Sequence, residues 1–513
     1  MLSVILVGFC LVVYYYLICN YNYWKNKRVP GPKPCLLFGN TKDPTLLKLT
    51  IGESLMNIYQ AYDGSPFVGI YEMRSPVLLL RDPDLIKQVL IKDFSHFQGR
   101  GIVMNESNDP LCANIVNLSG PRWRVLRTKL SPAFTSSKIH KMFDLIIESS
   151  NKYKKFVEKY ADNNEAVEFR DLSAKFATDV ISSCCFGLET NSIQNIDSEF
   201  RKICKHVLDP SMSISFKRII RWYMPWVFSR LKITMTPLIV TNYFMKIVKE
   251  IIKHRETNNL YRHDMMQLLI QLKNKEKIKE DIGDSDEQSS EINDPKNPDI
   301  TINEEMIAAQ AYIFFLAGYE TSSTTMSFAM YEISKNPKIQ QRLVNEIDDV
   351  IAKHGSMTYQ AILEMEYLDC VIRETLRMHT PVGVTPRICN KPYKIPGTDV
   401  VIEKGIKVLI PIHAIHHDPN IYPNPSTFNP DRFENKKLRD NCTFLPFGEG
   451  PRICIGIKFA FAQIKAGLVT ILQNYEIFPS DKMNLKIKYD PTANILTASS
   501  GIWINIRRRS IVE

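Results

Sequence analysis

One cysteine lies in a glycine-rich loop near the carboxyl end of the chain. The loop is the run Phe447-Gly448-Glu449-Gly450-Pro451-Arg452-Ile453-Cys454-Ile455-Gly456. Its glycines allow close backbone approach, and its proline stiffens the loop before the cysteine. Neighbouring N–H groups and the charge of Arg452 both favour a thiolate at Cys454. The alternative for a free cysteine is a buried, inert thiol.

The segment that follows this loop, 457–472, is apolar and has a helical pattern. Cys454 is therefore expected just before the N-terminus of a helix. The partial positive charge of a helix N-terminus stabilises a nearby anion. The pattern thus predicts that this helix favours the ionised form of Cys454.

A second group that could do chemistry is Ala317-Gly318-Tyr319-Glu320-Thr321, inside the apolar run 306–330. A glycine in a long helix costs about 1 kcal/mol relative to alanine, so Gly318 needs a reason. Close approach of a flat cofactor is one reason, and a helix kink is another. An acid and a hydroxyl on an apolar helix also need partners. The plainer alternative is that Thr321 bonds back to the preceding helical turn.

Glu374 and Arg377 have i, i+3 spacing, which places both charges on one face of a helix. An exposed pair of this kind contributes little to stability. Apolar neighbours at 370–372, 376 and 378 indicate burial instead. A buried pair would need further hydrogen bonds to be stable.

The full pattern Phe-x-x-Gly-x-Arg-x-Cys-x-Gly, with the acid–alcohol pair and the Glu-x-x-Arg pair, resembles the cytochrome P450 monooxygenases. The resemblance covers nearly the whole chain, and the local residue patterns are most similar to those of the insect family-six branch. Ile453 departs from the asparagine often found there. The resemblance implies that Cys454 is the axial ligand of the iron of haem b.

The resemblance also implies roles for other residues. Glu320 and Thr321 would deliver protons during the reduction of dioxygen. Glu374, Arg377 and Arg432 would form a structural lock behind the haem. The haem propionates need buried cationic donors, and arginine suits them best. The residues expected to bind the haem besides Cys454 are Arg452, Phe447, Trp123, Arg127 and Arg387, with Arg100 as a weaker candidate.

The implied reaction inserts one oxygen atom from O2 into a small apolar substrate, with electrons from NADPH that is not bound directly. NADPH–cytochrome P450 reductase would supply the electrons, and cytochrome b5 is a second expected partner. Expected cavity walls are Phe314, Phe315, Ala317, Val382, Val384 and Thr385. Cations expected to dock the reductase are Lys436, Lys437, Arg439 and Lys458. Metabolism of foreign compounds and of hormones or lipids are both compatible with the sequence.

Two other classes of protein use the same haem. One sequesters or senses a ligand without redox turnover, and the intact Glu320–Thr321 pair argues against it. The other is an isomerase or dehydratase that acts on a peroxide and needs no reductase. Members of that class tend to lack the acid–alcohol pair.

Composition narrows the partners and the compartment. Of the 513 residues, 44% are hydrophobic and 23% are charged, which is typical of a folded globular chain. The net charge of +10, with a basic block only at 507–509, disfavours nucleic acid. It suits an acidic protein or an anionic membrane surface better. The 11 cysteines include no Cys-x-x-Cys pair, which indicates a reducing compartment.

The predicted fold class is mainly α (α+β), with the cytochrome P450 fold: a large helical haem domain, small β-sheets near both ends, and an N-terminal membrane anchor. The predicted anchor is 1–22, the basic, proline-rich hinge is 23–34, and the catalytic domain is 35–513. The anchor depends on the apolar run 2–19, then an interfacial Trp24 and positive charges. A cleaved signal peptide fits less well, because the charges follow the apolar run. The expected location is the endoplasmic reticulum membrane, with the catalytic domain facing the cytosol.

Local patterns predict several further elements. A hairpin is expected over 67–81, followed by a helix with Asp82 as its N-cap and Pro83 in its first turn. Alternating residues predict strands over 483–488 and 501–506. The polar run 274–299 is expected to be a loop or linker. The aromatic and basic run 217–240 is either a core-facing helix pair or a surface that dips into the membrane.

Overall fold

A computed structural model of the chain describes residues 2–163, 165–190, 192–193, 200, 202–203, 206, 212–274, 302–434 and 441–509. Helices form most of this part, as predicted. Their bounds are α1 (Leu2–Ile18), α2 (Tyr23–Asn26), α3 (Lys42–Thr45), α4 (Ile51–Ala61), α5 (Pro83–Lys87), α6 (Gly120–Leu130), α7 (Ser136–Asn163), α8 (Phe169–Ile181), α9 (Met212–Tyr223), α10 (Pro225–Arg230), α11 (Leu238–Thr257), α12 (Met265–Lys273), α13 (Glu304–Lys335), α14 (Pro337–His354), α15 (Tyr359–Glu364), α16 (Glu366–Met378), α17 (Ile412–His416) and α18 (Ile457–Leu472). The predicted linker over 275–299 and the cations Lys436, Lys437 and Arg439 lie outside the described residues.

Small sheets accompany the helices. The strands are β1 (Phe67–Glu72), β2 (Ser75–Leu80), β3 (Val167–Glu168), β4 (Thr385–Ile388), β5 (Tyr393–Lys394), β6 (Val401–Ile402), β7 (Lys407–Ile410), β8 (Tyr475–Pro479) and β9 (Trp503–Arg508). Their orders are β1-β2-β7-β4, β3-β9-β8 and β5-β6. β1 and β2 form the predicted antiparallel hairpin, and β7 joins β2 in parallel. The N-terminal hairpin is thus completed by strands from the second half of the chain, which local patterns did not predict.

The two strands predicted near the C-terminus have different outcomes. The strand over 501–506 is confirmed as β9, which begins at Trp503. The strand over 483–488 is wrong, because this segment forms turns and coil, and only the next residue, Tyr489, makes an isolated bridge, to Ala498. β9 already pairs with β3 along one edge and β8 along the other. The alternating segment therefore cannot pair with β9, the central strand of this sheet.

Helices α13 and α18 hold the two sides of the site. The Asn303 side chain caps α13 by accepting a hydrogen bond from the Met306 N–H, and most of the helix is buried. α18 begins at Ile457, as predicted, and packs against α13 and α7. The acid–alcohol pair lies within α13, and the cysteine loop leads into α18. Their packing brings together two segments that are far apart in the sequence.

The N-terminal segment differs in part from the prediction. α1 has 17 residues, and the side chains of most of them are exposed. Among the helices of the described residues, none combines the length and the apolarity needed to cross a membrane. Trp24 is only 2% exposed, and its Nε1 donates to the Ile70 carbonyl of β1 at 3.0 Å. The predicted interfacial position of Trp24 is therefore wrong, since the ring packs into the globular body.

Candidate functional site

The cysteine loop is a tight turn pressed against a neighbouring segment. Gly448 and Gly450 have φ angles of +73° and +71°, which favour glycine. A Cβ at Gly450 would lie 2.1 Å from the Leu90 carbonyl oxygen, so a side chain there would displace the loop. The Cys454 N–H donates to the Phe447 carbonyl at 2.9 Å and closes the turn. These contacts fix the position of Cys454 just ahead of α18.

The Cys454 thiol faces a cavity of about 880 Å³. The residue is exposed by surface area, yet burial raises the pKa of its thiol. The two observations agree because the exposed surface faces the cavity, which the protein surrounds. The Gly456 N–H and the charges of Arg127 and Arg100 oppose the effect of burial and lower the pKa. The predicted stabilisation of the thiolate by a backbone N–H group is present. The charges that favour the thiolate are those of Arg127 and Arg100, and not the predicted charge of Arg452.

Arg452 points away from the sulfur. Its Nε donates to the Gln98 carbonyl at 2.9 Å and its Nη2 to the Leu118 carbonyl at 2.7 Å. Its guanidinium carbon lies 4.1 Å from the ring centre of Trp123. Its Nη1 is buried without a hydrogen-bond partner in the described structure. Arg452 thus keeps a free donor beside the cavity that it lines.

Arg387, like Arg452, has a buried donor without a hydrogen-bond partner in the described structure. Its Nη1 donates to Thr385 Oγ1 at 3.1 Å and to the Pro386 carbonyl at 2.9 Å, whereas its Nε is buried without a partner in the described structure. Burial and the neighbouring guanidinium groups lower the pKa of both Arg387 and Arg452. The residues of this unpaired arginine cluster are Arg100, Arg127, Arg387 and Arg452.

The unpaired arginine cluster lacks a counter-charge within the described part of the protein. No Asp or Glu side chain there forms an ion pair with any of the four guanidinium groups. All four residues line the cavity that Cys454 faces. Buried cations normally need anionic partners. The site therefore fits a planar group that carries two carboxylates and an iron atom, which is the chemistry of haem b.

The remaining cavity wall is mostly as predicted. Phe447 and Trp123 line the cavity, as do the predicted walls Phe314, Ala317, Val382, Val384 and Thr385. Phe315 does not, and its ring packs against Phe200 with centroids 5.1 Å apart. Consecutive residues of a helix point about 100° apart, so Phe314 and Phe315 of α13 face different neighbours.

Thr321 also lines the cavity, and its Oγ1 donates to the Ala317 carbonyl at 2.6 Å. The back-bond that the sequence left as an alternative is therefore present. Gly318 also faces the neighbouring helix, since a Cβ there would lie 2.5 Å from Ile181 Cδ1 of α8. The close packing of α8 on α13 thus explains why this position requires glycine, independently of any cofactor.

Glu320 lies apart from Thr321. It is 5% exposed and does not belong to the cavity lining. Burial raises the pKa of its carboxyl from 4.5 to about 7, although Arg170 and Arg218 lower it. Arg170 Nη2 lies 3.7 Å from Glu320 Oε1. The acid therefore sits behind the helix, next to a partly exposed arginine, and the alcohol sits at the cavity.

Glu374 and Arg377 form a buried and closed pair. Arg377 donates to both carboxylate oxygens of Glu374, at 2.8 and 2.9 Å, and both side chains are fully buried. Arg432 Nε lies 3.4 Å from Glu374 Oε1, and the Asn429 N–H donates to the same oxygen at 3.0 Å. Arg377 also donates to the carbonyls of His416 and Pro425, at 2.8 Å each. We call Glu374, Arg377 and Arg432 the paired arginine cluster.

Two residues were underestimated or missed at the sequence level. Arg100, ranked as a weak candidate, belongs to the unpaired arginine cluster and acts on Cys454. His416 links the paired arginine cluster to the segment before the cysteine loop, because its Nε2 accepts from the Leu445 N–H at 2.9 Å. No local pattern marks His416, since both contacts come from distant parts of the chain.

Comparisons with known proteins agree with this geometry. A family model described as Cytochrome P450 matches residues 29–505. Cytochrome P450 6k1 of Blattella germanica is 37% identical over 502 residues, which cover 97% of this chain and 95% of that relative. Cytochrome P450 6B7 of Helicoverpa armigera is 37% identical over 519 residues, or 100% and 98% of the two chains. For Cytochrome P450 6a2 of Drosophila melanogaster the identity is 37% over 498 residues, or 95% and 96%.

Proposed function

We propose, from the premise that this chain belongs to the cytochrome P450 family, that its chemistry is built on Cys454. The chain is a haem-thiolate monooxygenase of xenobiotic or endogenous metabolism, with haem b as its cofactor. Electrons come from NADPH through a reductase, and the substrates are apolar. The haem supplies the activation of dioxygen, and the protein supplies binding, orientation and protons. The resemblance to relatives of the insect family-six branch makes Cys454 the candidate axial ligand.

The observation that carries this assignment is the unpaired arginine cluster around the cavity that Cys454 faces. Arg452 and Arg387, with Arg127 and Arg100, would hold the two propionates through charge-assisted hydrogen bonds. Phe447 and Trp123 would pack against the macrocycle. Burial raises the pKa of the Cys454 thiol overall, and the Gly456 N–H and two arginine charges partly offset that effect. Binding of iron would ionise the thiol.

Thr321 and Glu320 would share the handling of protons. The Thr321 hydroxyl donates to the Ala317 carbonyl, so its oxygen can accept a hydrogen bond from a water molecule in the cavity. Glu320, with a pKa of about 7, can release or accept a proton near neutral pH. The charge of the partly exposed Arg170, whose Nη2 lies 3.7 Å from Glu320 Oε1, favours the ionised form of this acid. The paired arginine cluster would have a structural role only.

The reduced protein with carbon monoxide tests the ligand assignment. The expected result is a strongly red-shifted Soret band in the wild type, and its loss in Cys454→Ala. Cys370→Ala is the matched control, because Cys370 is buried on α16 and does not line the cavity. An unchanged iron spectrum in Cys454→Ala would contradict the assignment.

Coupling of NADPH consumption to product tests the role of Thr321. Product formation in Thr321→Ala should fall by as much as about 10²-fold while NADPH is still consumed, because proton transfer loses its positioned hydroxyl. Thr321→Ser keeps the hydroxyl and should stay close to the wild type. Normal coupling in Thr321→Ala would exclude the proposed role.

Association with the endoplasmic reticulum membrane, with the body facing the cytosol, is the second part of the proposal. The 17 residues of α1 extend about 25 Å at 1.5 Å per residue. That length falls short of the hydrocarbon thickness of about 30 Å, so the proposal depends on the exposed apolar side chains of α1. Exposed apolar side chains along 212–239 form a second surface, on three helices and the turn after α10; they are Met212, Phe216, Trp226, Leu231, Leu238 and Ile239. Four of them fall within 217–240, and this favours the membrane-dipping alternative for that run. Removal of residues 1–22 should reduce binding to phospholipid vesicles, and undiminished binding would contradict an anchor.

Docking of NADPH–cytochrome P450 reductase, and of cytochrome b5, would use cations near the cysteine loop. Lys458 is exposed on the first turn of α18, and its Nζ donates to Ser136 Oγ at 2.8 Å. Lys458→Glu should raise the KM for the reductase at low salt, because it reverses a charge beside the site. Lys404→Glu, which also reverses an exposed lysine, is the control. An equal KM in the two variants would reject this surface.

A further inference from the structure

Two more arginines line the cavity, away from the unpaired arginine cluster. Arg218 and Arg221 lie on α9 at i, i+3 spacing, so their side chains project from one face of the helix. Neither is among the charges that act on Cys454, which are those of Arg127 and Arg100. The cavity therefore carries positive charge in a second place, on a wall that the haem-binding residues do not share.

Both guanidinium groups have unused donors. Arg218 Nη2 donates to the Thr492 carbonyl at 2.6 Å, and Arg221 Nε donates to the Val103 carbonyl at 2.9 Å. A guanidinium has five N–H donors, and these bonds engage one on each side chain. No Asp or Glu of the described residues forms an ion pair with either arginine. By contrast, Lys407, another cation of the cavity wall, is paired with Glu72.

Three acids act on these arginines through their charges without forming an ion pair with them. Glu320 and Asp490 act on Arg218 through their charges, and Asp109 acts on Arg221. Asp490 Oδ1 accepts from the Thr492 N–H and hydroxyl, at 2.8 and 2.7 Å. Asp109 Oδ2 accepts from the N–H groups of Met235 and Thr236, at 3.1 and 3.0 Å. Asp490 itself lines the cavity, and Asp109 Oδ1 is buried without a hydrogen-bond partner in the described structure. Neither acid forms an ion pair with the arginines, which therefore keep free donors at the cavity that they line.

Burial lowers the pKa of both arginines, although each retains accessible surface. The surface that remains faces the cavity they line, as it does for Cys454. An incompletely paired cation in such a place is costly unless an anion joins it. Apolar side chains such as Phe314 and Val382 form other parts of the wall. The cavity therefore combines an apolar lining with two cations that suit one carboxylate.

We propose that Arg218 and Arg221 bind the carboxylate of the substrate, so that the preferred substrates are apolar monocarboxylic acids rather than uncharged apolar compounds. This inference rests on the proposed monooxygenase function and specifies its substrate class. The carboxylate accepts hydrogen bonds from both guanidinium groups, and the apolar chain extends along the cavity toward Cys454.

The test compares an acid with its ester in the haem-loaded enzyme. Decanoate and methyl decanoate differ in charge but have the same apolar chain. Binding is followed by the shift of the Soret band at pH 7.5, where the acid is ionised. The wild type should bind decanoate at least about tenfold more tightly than the ester, as charge-assisted hydrogen bonds predict. The double variant Arg218→Gln/Arg221→Gln should lose this preference and keep the affinity for the ester.

Controls separate this inference from the assignment of the haem site. Arg124→Gln removes an exposed arginine of α6 that does not line the cavity, and should keep the preference. Arg218→Lys should keep part of it. If the double variant does not fold, the single variants should each reduce the preference severalfold. Equal binding of acid and ester by the wild type, or a preference that survives in the variants, overturns the inference. A wild type without the red-shifted carbon monoxide band would instead overturn the assignment of Cys454.

Discussion

Two clusters of arginines have opposite electrostatic surroundings, although their most buried members are buried to a similar extent. Arg377 of the paired arginine cluster is 0% exposed, and Arg387 and Arg452 of the unpaired arginine cluster are 1% and 3% exposed. Arg377 shares both oxygens of Glu374 and two backbone carbonyls. Arg387 and Arg452 have no acid and keep buried donors without partners among the described residues. Burial alone therefore does not distinguish the clusters, but the presence of a carboxylate does.

The difference separates structure from ligand binding. A buried charge that has its counter-charge and all its hydrogen bonds stabilises one arrangement of the chain. A buried charge without them is costly until a ligand supplies the anion. Glu320 is intermediate, because its only ion pair among the described residues is with Arg170 at 3.7 Å. Removing one charge at a time tests whether the effect on stability follows the degree of pairing.

The largest effect is expected for Glu374→Ala. This change leaves the charges of Arg377 and Arg432 buried without their carboxylate, which should cost about 3–5 kcal/mol. We expect loss of haem incorporation and a large fall in the free energy of unfolding in urea. The control is Glu434→Ala, which breaks an exposed pair with Arg342 and should cost less than about 1 kcal/mol. Similar losses in the two variants would remove the distinction between buried and surface pairs.

A smaller, pH-dependent effect is expected for Glu320→Gln. The pKa of Glu320 is raised from 4.5 to about 7, so the folded protein binds more protons than the unfolded chain in that interval. Stability contributed by this group is therefore present below pH 4.5 and is lost as the pH rises through 7. Glu320→Gln should be more stable than the wild type at pH 8, by up to about 3 kcal/mol, and equal to it near pH 4.

Glu332→Gln on the same helix is the matched control, with the opposite sign. Burial raises the pKa of Glu332, but the hydrogen bond and charge of His379 outweigh it and lower the pKa overall. That variant should lose stability at pH 8. Urea unfolding at both pH values measures the two differences. If both variants shift in the same direction, the contrast in pairing does not govern their stability.

The smallest effect on folding, with a selective effect on the ligand, is expected for Arg387→Gln. Removing one of several mutually repelling charges should leave the free energy of unfolding of the haem-free protein unchanged or higher. Loss of haem to an acceptor protein should become at least about tenfold faster, because a propionate loses a charged donor. Arg373→Gln, which removes an arginine paired with Asp369, should not change haem loss. Unchanged haem loss in Arg387→Gln would exclude it as a propionate ligand.

Several features were predictable from the sequence because they depend on neighbours in the chain. The cysteine loop depends on its own glycines, and α18 begins where the apolar run begins. Glu374 and Arg377 meet because i, i+3 spacing brings them together on any helix. The hairpin β1–β2 and the Asp82 cap also follow from local residues.

Other features depended on parts of the chain that local patterns do not relate. Arg452 points to Gln98 and Leu118 rather than to Cys454, because those carbonyls lie within its reach only after folding. Trp24 is expected at the membrane interface, but its Nε1 donates a hydrogen bond to the Ile70 carbonyl of β1. The segment 483–488 has the alternation of a strand, but the folded chain pairs it with no strand.

The sequence by itself determined the cysteine loop, the long helices and the buried Glu-x-x-Arg pair, since each depends on contacts within a few residues. Only the tertiary structure decided which charges have partners. It gave Arg377 a carboxylate and left Arg387, Arg452, Arg218 and Arg221 without one in the described residues. Counter-charges come from distant segments, and the electrostatic energy of a buried group depends on their distance and not on their place in the sequence.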